Sequence, residues 1–327
     1  MATNPSQGNS TIPRKDPFGR SEAQIIVELC FAVTICAVTI VSNSLIVLAI
    51  KRLRYLDTTT NSFIANLAYT DLGTAFVLMP LWFTALAYGD WILGKVACNF
   101  FGYAKFVIIN VSLNILLLIA LERYLKVVKT KLHRKLFRSR KNMIGLQVFS
   151  WLVPALSYSP PLLGWGSIIY YPKTALCSIE ISAKNVPYLS FMVLSQPSPY
   201  IVCFCYYKIF RQVQHNRVQV CSRKNRAACL RAQEAESKIL KTTFAVVCVF
   251  AICLTPTVIS AVLYAADISA PRLVHAAFTF LLFSNSALNC LVYGYMNPQL
   301  KAAIKKTFKC CRASKDEEEN PSANTEL

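Results

Sequence analysis

Seven stretches of predominantly apolar residues, each long enough to cross a bilayer, constrain this chain more than any other feature of its sequence. They run over about 24–50, 61–87, 97–126, 143–165, 187–210, 238–264 and 272–295, and a helix needs roughly 20 apolar residues to span the hydrocarbon core. No water inside a bilayer meets a bare amide, so each stretch must satisfy its own backbone, which a helix does within one segment. Prolines fall in or at the edge of several stretches: Pro80, Pro154, Pro160, Pro161, Pro197, Pro199 and Pro256. In a packed membrane bundle neighbouring helices re-satisfy the freed carbonyls, so these read as kinks rather than ends. The expected fold is an all-α membrane protein, a seven-helix bundle.

Composition agrees with this reading. Of 327 residues 54% are hydrophobic and 16% charged, which is too apolar for a soluble domain. A formal charge of +19 raises nucleic-acid binding as an alternative, and the placement of the charge excludes it. Lys51, Arg52 and Arg54 follow the first span, Lys126 to Lys141 the third, Lys208 to Arg231 the fifth, and Lys301 to Arg312 the seventh. The other connections carry only Lys95, Lys173, Lys184 and Arg272. Basic residues favour the cytoplasmic side, so the amino terminus is expected outside and the carboxyl terminus inside a plasma-membrane protein. Polar residues run to Glu22 ahead of the first apolar stretch, unlike a cleavable signal peptide.

The domain expectation is an extracellular segment over 1–23, a helical domain over 24–297, an amphipathic helix over 298–311 and a disordered cytoplasmic tail over 312–327. Leu300, Ile304 and Phe308 repeat at helical spacing among lysines, which suits a helix lying on the inner membrane surface, with palmitate on Cys310 and Cys311. Asn9-Ser10-Thr11 is either a glycosylation acceptor, which this topology places outside, or a chance triplet.

Seven helices suit a transporter or a receptor, and the polar residues inside the spans separate the two, because polar groups there are expensive and usually functional. Ser42-Asn43 lies in the first span, Asn66-Leu67-Ala68-Tyr69-Thr70-Asp71 in the second, Glu122-Arg123-Tyr124 at the end of the third, and Trp151 in the fourth. The sixth carries Phe250-Ala251-Ile252-Cys253-Leu254-Thr255-Pro256, and the seventh Asn289-Cys290-Leu291-Val292-Tyr293. In order, spacing and placement these resemble the rhodopsin-like (class A) G-protein-coupled receptors over residues from about 24 to 311, nearest in motif style to opsins, melatonin and aminergic receptors. The resemblance implies a receptor that passes an extracellular small-molecule signal to a heterotrimeric G protein and arrestin, with membrane lipid around it and no nucleic-acid partner. No internal repeat supports a transporter, and no catalytic motif supports an enzyme.

The resemblance also assigns residues. Arg123 is expected to pair with Glu122 and with Glu236 at the start of the sixth span, unless it simply snorkels to the interface. Phe250, Pro256, Asn289 and Tyr293 take the place of the family's switch residues. Asp71 is expected beside Ser112, Asn285, Ser286 and Asn289, an oxygen-rich set suited to an allosteric sodium ion; a protonated Asp71 in a water network is the alternative. Cys98 and Cys177 match the family's disulfide.

Departures bear mainly on the ligand. Leu254 stands where the family has tryptophan, Cys290 where it has the seventh-span proline, and Tyr206 or Tyr207 serves as the fifth-span tyrosine. Phe283 occupies the position of the retinal-anchoring lysine, so a retinal cofactor is not expected, and Lys105 occupies the position of the amine-binding acid. A pocket-facing Lys105 suits an anionic ligand; snorkelling, internal pairing and a Schiff base are its other readings. Alternatives for the whole chain are a receptor-like protein without productive coupling and a non-canonical opsin-like photoreceptor.

Overall fold

In the computed structural model, which describes residues 16–53, 56, 58–194, 196–219, 226–297 and 300–307, the apolar stretches are helical and lie side by side. α1 (Glu22–Arg52) starts at a capping box, in which Ser21 accepts from the Gln24 N–H and the Gln24 side chain accepts from the Ser21 N–H. The second span is α2 (Thr59–Gly73), a π-turn (Thr74–Leu78) and α3 (Met79–Tyr88). Pro80 accounts for the wide turn: it has no N–H for the ladder and its ring crowds the carbonyl one turn back, so the helix loosens just before it. The third span, α4 (Gly94–Val128), packs against α2 and, as the chain continues, against α5 (Thr130–Phe137) and α6 (Arg140–Ser157).

The fourth and fifth spans differ from expectation. The stretch over 143–165 stops being α-helical at Ser157, and Pro160 and Pro161 open a 3-10 turn (Pro160–Leu163) that Gly164 closes at a φ of 95°. Two successive prolines remove two ladder donors, so the α-helix cannot run on. The stretch over 187–210 is two helices, α7 (Val186–Leu194) and α8 (Ser198–Gln219). Pro197 and Pro199 take two donors out within three residues, and the chain breaks at Gln196 and Pro197 rather than bending. Among the described residues five helical segments have the length and apolarity to cross a membrane by themselves; at 18 residues α6 reaches only about 27 Å.

The last two spans, α9 (Arg226–Ala265) and α10 (Arg272–Met296), pack along each other, and α10 also meets α1 and α2. With Cys290 in place of proline, no ladder donor is lost there and α10 runs unbroken. The amphipathic helix is described over 300–307, where Leu300 and Ala303 are fully buried and Ile304 packs at the core's edge. Asn9, Phe308, Cys310 and Cys311 lie outside the described residues.

Burial is inverted relative to a water-soluble protein. Phe31, Phe149, Leu156, Phe210 and Leu291 face outward, whereas Asp71, Lys105, Arg123, His275 and Asn289 are buried. Such an apolar exterior is a liability in water and the natural surface in lipid. Between the fourth and fifth spans a hairpin of β1 (Ile168–Tyr171) and β2 (Leu176–Ile179) pairs Ile168 with Ile179 and Tyr170 with Cys177. It lies on α4 at Gly102, where a Cβ would stand 2.6 Å from Ile168 Cγ2.

Candidate functional site

The polar interior falls into three groups along the bundle. At the hairpin end, the Cys98–Cys177 disulfide joins α4 to β2, with the two Cα atoms 5.4 Å apart. Lys105 follows two turns along α4 and is only 4% exposed, so it does not snorkel to the surface. Its ammonium donates to the Cys177 carbonyl at 3.1 Å and lies 4.8 Å from the centre of the Phe106 ring, which stacks on Tyr158. No salt bridge reaches Lys105 among the described residues. A buried cation whose protein partner is one neutral carbonyl remains short of counter-charge.

Lys105 lines a small, partly open interior space walled by Leu78, Ile108, Phe250, Leu254, Leu282 and Phe283. Phe283 stacks on Trp82 with ring centres 4.4 Å apart. It offers an aromatic wall where an opsin-like anchor would need an amine. Leu254 is in the same wall, and Pro256 sits within α9 two residues beyond.

The second group lies deeper. Asp71 is 2% exposed, hydrogen-bonded by the Ser286 hydroxyl and, at 3.5 Å, by the Asn289 amide. Asn43 braces this point, donating to the Ser286 and Thr39 carbonyls at 3.1 and 3.0 Å. Ser112, Asn285 and Ser286 border the same interior space as Lys105. Three of the five expected sodium ligands, Asp71, Ser286 and Asn289, thus touch, and Ser112 and Asn285 approach from the cavity side. The buried Oδ1 atoms of Asn285 and Asn289 have no hydrogen-bond partner among the described residues. Neutral acceptors beside a carboxylate form a donor set that fits a hard cation. Among the described residues no cluster of three His, Cys, Asp or Glu offers a site for a transition metal. Tyr293 is buried one turn beyond Asn289.

The third group closes the opposite end. Glu122 accepts from the Thr60 hydroxyl at 3.1 Å, lies 2.9 Å from Arg123 Nε and 3.2 Å from His133 Nε2. The Arg123 guanidinium also donates to Thr60. The expected Glu122–Arg123 pair is therefore formed, inside a network that also ties α2 and α5 to α4. The Glu236 side chain lies outside the described residues, so its pairing with Arg123 is not part of this geometry. Tyr124 packs near Phe204 of α8. Of the two fifth-span tyrosines, Tyr206 turns inward against Phe244 and Tyr207 is 56% exposed. Trp151 donates to Asn66 at 3.1 Å, joining the fourth span to the second.

Sequence reasoning missed Thr60, His133 and the Cys177 carbonyl. Thr60 falls inside the polar run Thr58 to Ser62 at the start of the second span, and His133 sits in a connecting segment read only for its charge. Their spacing from Glu122 had no periodic signal, because the contacts cross between helices. A carbonyl has no signature in a residue code at all.

The 7 transmembrane receptor (rhodopsin family) model matches residues 42–293. Galanin receptor type 1 of Rattus norvegicus is 26% identical over 325 residues, covering 94% of this chain and 90% of the receptor. Melatonin receptor type 1B-B of Danio rerio is 27% identical, with 80% of this chain and 75% of the receptor covered. Melanopsin of Branchiostoma belcheri is 26% identical over 84% of this chain, which spans 42% of that longer protein. The fold is similar to that of squid rhodopsin, with a TM-score of 0.79 at 21% identity, covering 94% of this chain and 93% of the rhodopsin. These are receptors rather than enzymes, and this multi-pass membrane chain belongs to the rhodopsin family of seven-transmembrane receptors.

Proposed function

We propose that the protein is a plasma-membrane receptor for an extracellular anionic ligand that engages Lys105, with the amino terminus outside and the carboxyl terminus facing a heterotrimeric G protein and arrestin. The observation that carries this reading is the buried Lys105 ammonium, bordering the interior space with a neutral carbonyl as its polar partner among the described residues. A carboxylate or phosphate would supply the missing charge. Binding would shift the population towards a state in which the Glu122–Arg123–Thr60 network opens to the transducer. Sodium held by Asp71, Ser286 and Asn289, with Ser112 and Asn285 completing the shell, would favour the resting state. The basic connections around α5 suit acidic lipid and the transducer.

A panel of anionic lipids and carboxylate and phosphate metabolites, read by G-protein activation in cells, tests this. The expected result is a response in wild type that Lys105→Met abolishes while surface expression is kept. Equal responses in the two proteins would overturn the anion reading.

A further inference from the structure

His275 is a buried titratable side chain outside the polar groups described above. It stands in the first turn of α10 and is 2% exposed. Its Nδ1 shares a hydrogen bond with the Ser260 hydroxyl of α9 at 2.6 Å, and its ring packs on Tyr264 with centres 4.9 Å apart. The same contact reaches the hairpin. Tyr264 meets Tyr171 of β1 edge to face at 4.8 Å, and Thr279, one turn beyond His275, donates to the Thr174 carbonyl at 3.2 Å. One imidazole therefore sits where α9, α10 and the connection between β1 and β2 meet.

Nothing around this ring is placed to hold a charge on it. Among the described residues no ion pair reaches His275. From α9 it is faced by Ser260 and Tyr264, which are neutral. From the 3-10 turn Pro172–Thr174 the charge acting on it is positive, that of Lys173, which bonds the Ala270 carbonyl at 3.0 Å. On α10 itself Arg272 is taken by Glu28 of α1, an acid shared with Arg20. Glu180 accepts from Ser167 and Asn185, and Asp267 lies on the exposed turn after α9. A proton added to His275 thus makes a buried cation beside a lysine, and the cost is relieved when the helices part and water reaches the ring. The buried Tyr264 hydroxyl, unpartnered among the described residues, offers that water a second bond.

We infer that His275 is a proton-binding site through which extracellular acid acts on the receptor, its protonation parting the outer ends of α9 and α10 and shifting the population away from the resting packing. The Glu122–Arg123–Thr60 network is closed in the same structure that holds the Ser260–His275 bond, so acid raises basal signalling. The site uses the topology proposed above and is independent of any ligand at Lys105.

The test compares wild type with His275→Asn, which keeps a hydrogen-bonding group for Ser260 and takes up no proton. In purified full-length receptor in nanodiscs both faces meet the buffer, so the melting readout holds for either topology. Between about pH 7.5 and about pH 6, across the ordinary histidine range, the melting temperature of wild type should fall relative to that of the variant. Lys173→Glu, which brings an acid to the site, should remove most of that fall, and it keeps the test open if the asparagine variant fails to fold. In cells, ligand-free G-protein activation above that of untransfected cells should rise by up to about fourfold over the same range of extracellular pH. That is the shift available to one histidine of ordinary affinity whose charged form the packing excludes. In His275→Asn it should stay level.

A melting gap that stays constant over this range overturns the inference. So does an acid response of equal size in wild type and His275→Asn, which assigns the response to another group. A gap that moves with pH while signalling stays level in both proteins overturns the sensing role and leaves His275 a structural residue. In that case a response to the anion panel in the same cells keeps the receptor reading standing.

Discussion

The Lys105 ammonium sits 3.1 Å from the Cys177 carbonyl oxygen, so the cation bordering the cavity is held by the same residue that pins the hairpin to α4. Cys177 thus links the cavity-bordering Lys105 to the disulfide.

The first prediction follows from that coupling. The disulfide closes a loop between residues 79 apart in sequence, and losing such a link costs about 2–4 kcal/mol. Cys98→Ala with Cys177→Ala should lower the melting temperature by several degrees, and should raise the half-maximal concentration of any ligand that needs Lys105. Differential scanning fluorimetry and a concentration–response curve measure the two effects. An unchanged response curve would separate the hairpin from the pocket.

Glu122 gives the second. The Thr60 hydroxyl serves both Glu122 and Arg123, so Thr60→Val removes the shared point on α2 and loosens the network. Basal nucleotide exchange in membranes should rise about fivefold, the equivalent of one net hydrogen bond. His133→Ala, which removes the contact from α5, should raise it in the same direction. Basal exchange that stays at the wild-type level in both variants would remove the network from the resting state.

A third concerns pH. Ahead of α1, Asp16 accepts from the Phe18 and Arg20 N–H groups at 3.1 and 2.9 Å and from the Arg20 guanidinium at 2.6 Å. Arg20 also reaches Glu28 at 2.8 Å, and Glu28 takes Arg272 of α10 at 2.6 Å. Burial alone would raise the Asp16 carboxyl; its bonds to Arg20 and Phe18 outweigh that and hold it below the ordinary range. A depressed carboxyl stabilises the folded chain fully above the ordinary carboxylate range and loses that contribution as pH falls through its folded value. The melting-temperature gap between wild type and Asp16→Asn should therefore be constant above about pH 5 and shrink below about pH 4. A gap that widens on acidification would reverse the sign of this argument.

The fourth is ionic. Asp71 with Ser286 and Asn289 should make the melting temperature higher in sodium chloride than in equimolar N-methylglucamine chloride. Asp71→Asn should abolish the difference. A sodium effect of equal size in the variant would leave the protonated, water-bonded Asp71 as the better account.

The helical spans were legible because their signal is one of length and apolarity, and the motif residues because each stands alone against an apolar background. Proline was the residue type read least well. Pro80 is absorbed by a π-turn within a continuous span, whereas Pro160-Pro161 ends α6 and Pro197 with Pro199 splits the fifth span. A single missing donor can be accommodated by its neighbours, and a close pair cannot. The hairpin over 168–179 carries a β-branched and aromatic pattern too short to stand apart from the spans around it. The Arg20–Glu28–Arg272 ties were hidden for another reason: Arg272 was counted only for topology, and its partner lies on α1.

In the proposed mechanism an anion at Lys105 drives transduction through Arg123. Its most direct measurement is nucleotide exchange on a purified heterotrimeric G protein by the receptor in nanodiscs, titrated with the most potent anion of the panel. Wild type should accelerate exchange with ligand. Lys105→Met should stay at its basal rate while melting as a folded protein, and Arg123→Ala should bind the anion without accelerating exchange. An acceleration that is the same with and without the Lys105 charge would contradict the account.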